Sequence, residues 1–283
     1  MIAVRKAAGP TSHDVVDTVR RALGESRVGH LGTLDPAAEG VLVVVTGRAT
    51  RLARFAEGWS KTYEGVIRLG AVTRTDDATG DVVAQSDAWR GVNERDVQAA
   101  LERFRGPIAQ RPPAYSAVKV DGERAYRRAR RGEAVAIVSR EVTVHALELL
   151  GFTPPDAQFR ATVSGGTYLR SLARDVGEAL GCGAHLAALT RTAVGPFGLA
   201  DAVAPEGVTA AALRRMEVLV EDLPRRDLTD AERAAVEHGR PLPGGSGKGE
   251  EGGGWVALFH GGALVAVAER SDDVLKPRVV VVE

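Results

Sequence analysis

In this 283-residue chain, the residue types best equipped for chemistry fall into three short stretches. The first runs from Gly29 to Gly40 and carries His30 and Asp35. Gly29 and Gly32 permit a tight backbone, and Pro36 pushes Asp35 towards an extended conformation, which stands its carboxylate on an ordered corner before the apolar run Val41 to Val45. A carboxylate so placed can serve as a nucleophile or stabilise a positive centre. An Asp-Pro pair can equally close an Asx-type turn, and a lone loop histidine can be purely structural. Glycosidase chemistry needs a second carboxylate across the scissile bond, and no spacing rule puts Glu39 there. The second stretch, residues 111–131, sets Arg111, Lys119, Arg124, Arg127, Arg128, Arg130 and Arg131 against only Asp121 and Glu123, with Tyr115 and Tyr126 between them. Basic residues interleaved with aromatics suit phosphate neutralisation and base stacking, and they also suit a solvated helix face. The third is Gly165-Gly166-Thr167-Tyr168-Leu169-Arg170. A glycine pair ahead of a helix offers N–H groups to an anion, and Arg170 can pair with a carboxylate or phosphate; the alternative is a plain Thr167 cap with an exposed Arg170. The four tyrosines, Tyr63, Tyr115, Tyr126 and Tyr168, each lie beside one of the motifs.

Other chemistries find little support. No His, Cys and carboxylate group has metal-ligand spacing, and Cys182 has no partner cysteine. The Gly-rich stretch Gly244 to Gly254 contains Lys248 but lacks the following Ser or Thr and the preceding strand of a phosphate loop, so it reads as a linker. Acidic and basic residues balance at 37 each, which argues against a general polyanion binder. The balance is uneven along the chain: residues 111–140 carry a net +5, against −4 for 141–222 and −2 for 223–283. Arginine outnumbers lysine 32 to 5, so arginine frequency by itself carries no weight. A hydrophobic content of 44% excludes disorder as the main state. One cysteine and an opening without an apolar signal stretch place the chain in a reducing cytoplasm. The longest apolar run, Trp255 to Ala268, is broken by His260, Gly261 and Gly262 and is too short to span a bilayer.

The elements that must position these residues follow from periodicity and caps. Thr11, Ser12 and Asp14 start a helix through Val15, Val16, Val19 and Leu23 that stops at Gly24. Val41 to Val45 reads as a buried strand and Tyr63 to Leu69 as another, and Asn93 caps a helix running to Gly106. Val142 to Leu150 and Gln158 to Val163 suggest a strand pair, followed by a helix from Tyr168 to Leu180 closed by Gly181. After a boundary near Asp222-Leu223-Pro224, Thr229 and Glu232 form a capping box, Gly261-Gly262 joins two strands, and Val279 to Val282 adds a third. The mixture lacks βαβ regularity, which predicts an α+β fold with a small β-rich tail.

The pieces Gly9-Pro10-Thr11-Ser12-His13-Asp14, Gly29-His30-Leu31-Gly32-Thr33-Leu34-Asp35-Pro36-Ala37-Ala38-Glu39-Gly40-Val41-Leu42, Lys61-Thr62-Tyr63 and Pro112-Pro113-Ala114-Tyr115-Ser116-Ala117-Val118-Lys119 occur in this order. Gly165 to Leu172 and Leu189-Thr190-Arg191-Thr192 continue the series. Together they closely resemble the bacterial tRNA pseudouridine-55 synthases, the TruB family, over about residues 2–200. The resemblance implies a mixed, largely antiparallel sheet flanked by helices in residues 1–222, with a basic RNA-clamping insertion near 111–140. It also implies a PUA-like RNA-binding domain in 223–283. It makes Asp35 the essential aspartate, Arg170 its ion-pair partner and Tyr63 the ring that stacks on a flipped uridine and shuttles a proton. His30 would displace the uridine from its stack, Tyr168 and Leu189 would line its pocket, and Lys119 would stand near the phosphates. Lys6 is carried over as a substrate-binding residue, although the family's Asp-Lys-Pro is here Arg5-Lys6-Ala7-Ala8. The implied reaction isomerises a T-loop uridine of tRNA, uses no cofactor and is carried out by a monomer. The rival expectation is a non-catalytic tRNA-binding protein on the same scaffold.

Overall fold

The computed structural model describes residues 1–116, 118–120, 122–133, 136–244, 254–271 and 273–282. The chain enters through β1 (Ile2–Lys6) and α1 (Ser12–Leu23), which begins and ends as its caps predict: Thr11 and Asp14 form a reciprocal capping box, and Gly24 closes the helix in the left-handed region. β2 (Val28–His30) and β3 (Glu39–Thr46) flank the loop that carries Asp35. β3 is apolar from Val41 to Val45 because both faces are covered there. Leu42 and Val44 pack with Val15 and Val19 of α1, while Val41, Val43 and Val45 face a second cluster with Leu52, Ala257 and Phe259.

A 3₁₀ stretch over Gly47–Ala56 leads to β4 (Lys61–Leu69) and the hairpin of β5 (Ala71–Thr73) and β6 (Val82–Gln85). α2 (Glu94–Glu102) starts at Asn93 as expected but stops short of Gly106, which opens β7 (Gly106–Gln110). The basic stretch folds as a small ribbon, β8 (Lys119–Val120) with β9 (Glu123–Arg124), and a short helix, α3 (Ala125–Arg130). β10 (Arg140–Thr153) and β11 (Asp156–Val163) form the expected antiparallel pair. α4 (Leu169–Ala179), β12 (Ala184–Val194) and β13 (Phe197–Gly198) follow. β14 (Arg225–Asp227), α5 (Asp230–Glu237), β15 (Leu242–Pro243), β16 (Trp255–His260), β17 (Ala263–Ser271) and β18 (Val274–Val280) complete the chain. Apart from its end residues, the Gly244 to Gly254 linker lies outside the described residues.

The main sheet has the order β1-β3-β12-β4-β11-β10-β7, with β2 beside β3 and β13 beside β12. Every pairing is antiparallel except β3 with β12, so the architecture is the α+β arrangement expected. β14 to β18 build a separate five-stranded sheet. Ala257, Phe259, Leu264 and Val267 of that sheet share one apolar cluster with β3 and the Gly47–Ala56 stretch. A second cluster of the main sheet is roofed by α2 and α4, through Val97, Leu101, Leu172 and Val176. No described helix is long and apolar enough to cross a membrane.

The seat of α4 turns on one residue. A Cβ built on Gly177 would lie 2.2 Å from the Ala184 amide nitrogen and 2.5 Å from Ala184 Cβ at the start of β12. Helix propensity alone would reward Gly177→Ala by about 1 kcal/mol. The close approach reverses the sign, and we expect this variant to be destabilised by about 1–3 kcal/mol in chemical denaturation. A gain in stability would show that α4 can lift off β12 without penalty.

Candidate active site

Asp35 sits in a loop with no ladder of its own, yet the loop is tied down along its length. Leu34 donates its amide to Ser12 Oγ at 2.8 Å and accepts the same hydroxyl at 3.0 Å. Gly9 N–H reaches the Pro36 carbonyl at 2.8 Å, and Ala38 N–H closes the turn on the Asp35 carbonyl at 3.0 Å. Two buried cations finish the work. Lys6 Nζ donates to the carbonyls of Ala7, Pro36 and Ala38 at 3.0, 3.1 and 2.6 Å. The Arg191 guanidinium spreads over the carbonyls of Val41, Thr33 and Gly32 at 2.7, 3.4 and 3.1 Å. A cation buried in this way is tolerable because each of its donors meets an acceptor. Gly40 permits the close packing: at φ +108° it carries no Cβ, and one would fall 2.2 Å from the Arg191 carbonyl oxygen.

The loop presents Asp35 to a third buried cation. Arg170, 5% exposed in the first turn of α4, brings Nε to 2.9 Å from Asp35 Oδ2 and Nη2 to 3.2 Å from Oδ1. The Nη2 bond is the better aligned of the two; the Nε contact is a close ion pair with poor N–H direction. The remaining donors reach the carbonyls of Thr75 and Tyr115, both at 3.1 Å, and Asp77 Oδ2 lies 3.7 Å from Nε. Of the two expectations for Arg170, the carboxylate partner rather than the exposed side chain is what forms. Thr167 is not the cap: its hydroxyl donates to Ser164 O, and Tyr168 occupies the cap position. Gln110 holds Tyr168 by accepting its N–H at 2.8 Å and donating to its carbonyl at 3.1 Å. The Arg140 guanidinium lies 5.0 Å from the Tyr168 ring centroid and bonds the Gly166 carbonyl.

A cleft of about 1050 Å³ opens over Asp35, and His30, Tyr63, Tyr168, Leu189 and Arg170 all line it. Tyr63 is buried on β4 in register with Arg191 of β12, and Leu189 lies on the same stretch of β12. Asp35 keeps 42% of its side chain exposed, so its carboxylate is open to the cleft while its partner is not. Burial, then the charges of Arg191 and His13, lower the His30 pKa from its ordinary 6.5, leaving a neutral ring whose Nδ1 has no partner. Tyr126 and Arg130 from the basic stretch form part of the rim. Lys119 stands apart, exposed on the β8–β9 ribbon.

Lys6 requires a correction. Assigned to substrate, it is instead fully buried and absent from the cleft, and its three bonds to carbonyls make it an anchor for the Asp35 loop. Burial lowers its pKa, and the nearby Asp35 charge works in the opposite direction. Residue-by-residue reading passed over Arg191, although a lone guanidinium in the strand-length stretch Ala184–Val194 was the signal: a charge buried in a strand must be paired. It gave no role to Lys61, which lines the cleft and whose pKa burial and Arg191 lower, or to Asp77 in the turn between β5 and β6. Asp77 does organise that turn, accepting Thr75 Oγ1, Thr79 N and Thr79 Oγ1, and the turn itself borders the cleft.

The family model described as the TruB family pseudouridylate synthase N-terminal domain matches residues 20–169, and the tRNA pseudouridylate synthase B C-terminal domain matches residues 170–235. The chain belongs to the TruB family of pseudouridylate synthases. This TruB-family chain is 45% identical over 284 residues to tRNA pseudouridine synthase B of Parasynechococcus marenigrum, covering 99% of the chain and 96% of that protein. It is 45% identical to the protein of the same name from Thermobifida fusca, over 99% of the chain and 97% of the relative. Among solved structures it is similar to that of an H/ACA RNP bound to a substrate RNA containing 2′-deoxyuridine. There the TM-score is 0.73 at 28% identity, with 100% of this chain and 84% of the other covered.

Two outcomes follow for this TruB-family enzyme. Lys6→Met strands the loop carbonyls, each worth about 1–3 kcal/mol when left unpaired. It is expected to cost about 2 kcal/mol or more of stability and to lower turnover while substrate affinity stays near that of the parent; weakened affinity with unchanged turnover would return Lys6 to the binding surface. For His30 the sign runs with proton uptake: as pH falls below 6.5 the unfolded chain gains a proton that folded His30 resists, so stability drops. Denaturation at about pH 7.5 and about pH 5.5 should show a smaller acid loss in His30→Gln than in the parent. An equal loss in both would mean that the folded imidazole titrates normally.

Proposed function

We propose that this enzyme converts uridine 55 in the T-loop of tRNA to pseudouridine, with Asp35 as the reacting carboxylate. The observation that carries the reading is the half-exposed Asp35 carboxylate held 2.9 Å from buried Arg170 at the floor of a cleft walled by Tyr63 and Tyr168. The names of the relatives, tRNA pseudouridine synthase B, support the substrate.

The reaction breaks N1–C1′, turns the uracil within the cleft and joins C5 to C1′. C5 gives up its hydrogen as a proton and N1 gains one, so product and substrate are isomers and the chemistry calls for no redox partner or group donor. The uridine must first leave its stack, at a cost of a few kcal/mol that stacking on an aromatic ring offsets. Tyr63 stacks on the flipped base and carries a proton, His30 takes the base's former place as a neutral ring, and Tyr168 and Leu189 wall the pocket. Asp35 acts as nucleophile or as counter-charge to the electron-poor sugar, and Arg170 aims it. Lys119 and the basic residues of 111–140 meet the phosphates.

Residues 1–222 form the catalytic domain in this reading, 111–140 its clamping insertion, and 223–283 a PUA-like RNA-binding domain. The separate five-stranded sheet supports that division. The enzyme works in the cytoplasm as a monomer, with tRNA as its partner.

Incubation of the purified protein with unmodified tRNA, followed by pseudouridine mapping, tests the reading directly. We expect one isomerised uridine in the T-loop. Asp35→Asn should bind tRNA as the parent does and lose product formation by on the order of 10⁴-fold. Free uracil would indicate a hydrolase, and binding without product in the parent would indicate a non-catalytic RNA-binding protein.

A further inference from the structure

Arg174 lies one helical turn beyond Arg170 on α4 and does not line the cleft. Its side chain is nonetheless only 11% exposed and fully engaged. Nη1 meets Asp76 Oδ2 at 3.1 Å, Nη2 meets Asp175 Oδ1 at 2.8 Å and the Arg111 carbonyl at 2.9 Å, and Nε meets Asp175 Oδ1 at 2.9 Å. Ser171 Oγ donates to the same Arg111 carbonyl at 2.8 Å. Arg170 and Arg174 therefore grip the same two segments from successive turns of one helix. Arg170 takes Thr75 and Tyr115, while Arg174 takes Asp76 and Arg111. One segment is the turn between β5 and β6; the other is the root of the basic arm.

Both segments are held by further contacts. Asp76 has φ +61°, in the left-handed region that aspartate enters more readily than most residues other than glycine. Its carbonyl accepts Leu186 N–H at 3.0 Å, which pins the turn to β12. On the other segment, Arg170 Nη2 is shared between Asp35 Oδ1 at 3.2 Å and the Tyr115 carbonyl at 3.1 Å, so displacement of Tyr115 redirects the nitrogen that aims Asp35.

We propose that Arg174 is a positioning residue for the reaction: with Arg170 it forms a two-guanidinium clasp joining the arm root to the β5–β6 turn, so that the arm's hold on RNA and the aim of Asp35 are linked. The inference rests on Asp35 being the reacting carboxylate. A loose arm root lets Tyr115 drift, and a misaimed carboxylate slows the chemistry without weakening the encounter with RNA.

The test measures tritium released from C5-labelled uridine in unmodified tRNA under single-turnover, saturating conditions, alongside tRNA affinity and thermal melting. Arg174→Gln should lower the rate about ten-fold with affinity within about two-fold of the parent, and Arg174→Lys should recover part of the loss. Should Arg174→Gln fail to fold, Ser171→Ala removes one bond to the Arg111 carbonyl and should lower the rate about three-fold. Linkage is read from a cycle with an arm variant carrying Arg124→Gln, Arg127→Gln and Arg130→Gln: its rate loss should be smaller in the Arg174→Gln background than in the parent. A parental rate in Arg174→Gln, or rate losses that simply multiply, would overturn the clasp. An inactive parent, or an active Asp35→Asn, would instead overturn the role of Asp35, so the two failures are separable.

Discussion

Charge-assisted hydrogen bonds from buried cations to backbone carbonyls are what the centre of this molecule depends on. A carboxylate that faces an open cleft has to stand on a loop, and a loop lacks the ladder that stiffens a strand. Here Lys6 and Arg191 supply the missing ladder to the Asp35 loop from β1 and β12, while Arg170 holds the carboxylate from α4. Each cation is costly to bury alone, and each is tolerated because the folded backbone surrounds it with acceptors. Stability and function are thus joined at one place: whatever loosens the loop also unpairs a buried charge.

The same logic separates what the sequence made legible from what it did not. α1 and β3 were readable because caps and an apolar run are local signals. Asp35, His30, Tyr63, Tyr168, Leu189 and Arg170 were nominated from motif and resemblance, and they do converge on one cleft. β12 was not legible. Its sequence is rich in alanine, which is depleted in strands, and only its place between β3 and β4 makes it one. Arg191 went unread with it. Lys6 was misjudged because a lysine near a reactive loop suggests substrate, whereas burial decides what it can touch.

Net charge proved a poor guide for a related reason. A whole-chain balance of zero conceals the net +5 of 111–140, a figure that already includes the glutamates of that stretch. Arg131 pairs with Glu123 and Glu133, and Arg128 with Glu133, so the glutamates of the arm are engaged within it. Such pairs contribute little to stability where they are exposed. They shape the arm and moderate its attraction to any polyanion.

The strand order of the main sheet also bears on how the protein comes into being. Asp35 leaves the ribosome early, but β12, which lies between β3 and β4, and the arginines that grip the loop emerge only after residue 169. Until then β3 and β4 have no strand to join them, and contacts of such long sequence separation form slowly. A nascent chain halted before α4 therefore carries Asp35 without the guanidinium that holds its carboxylate. Competence arrives late and at once, when a single helix-and-strand unit slots into the middle of a sheet whose flanks have been waiting.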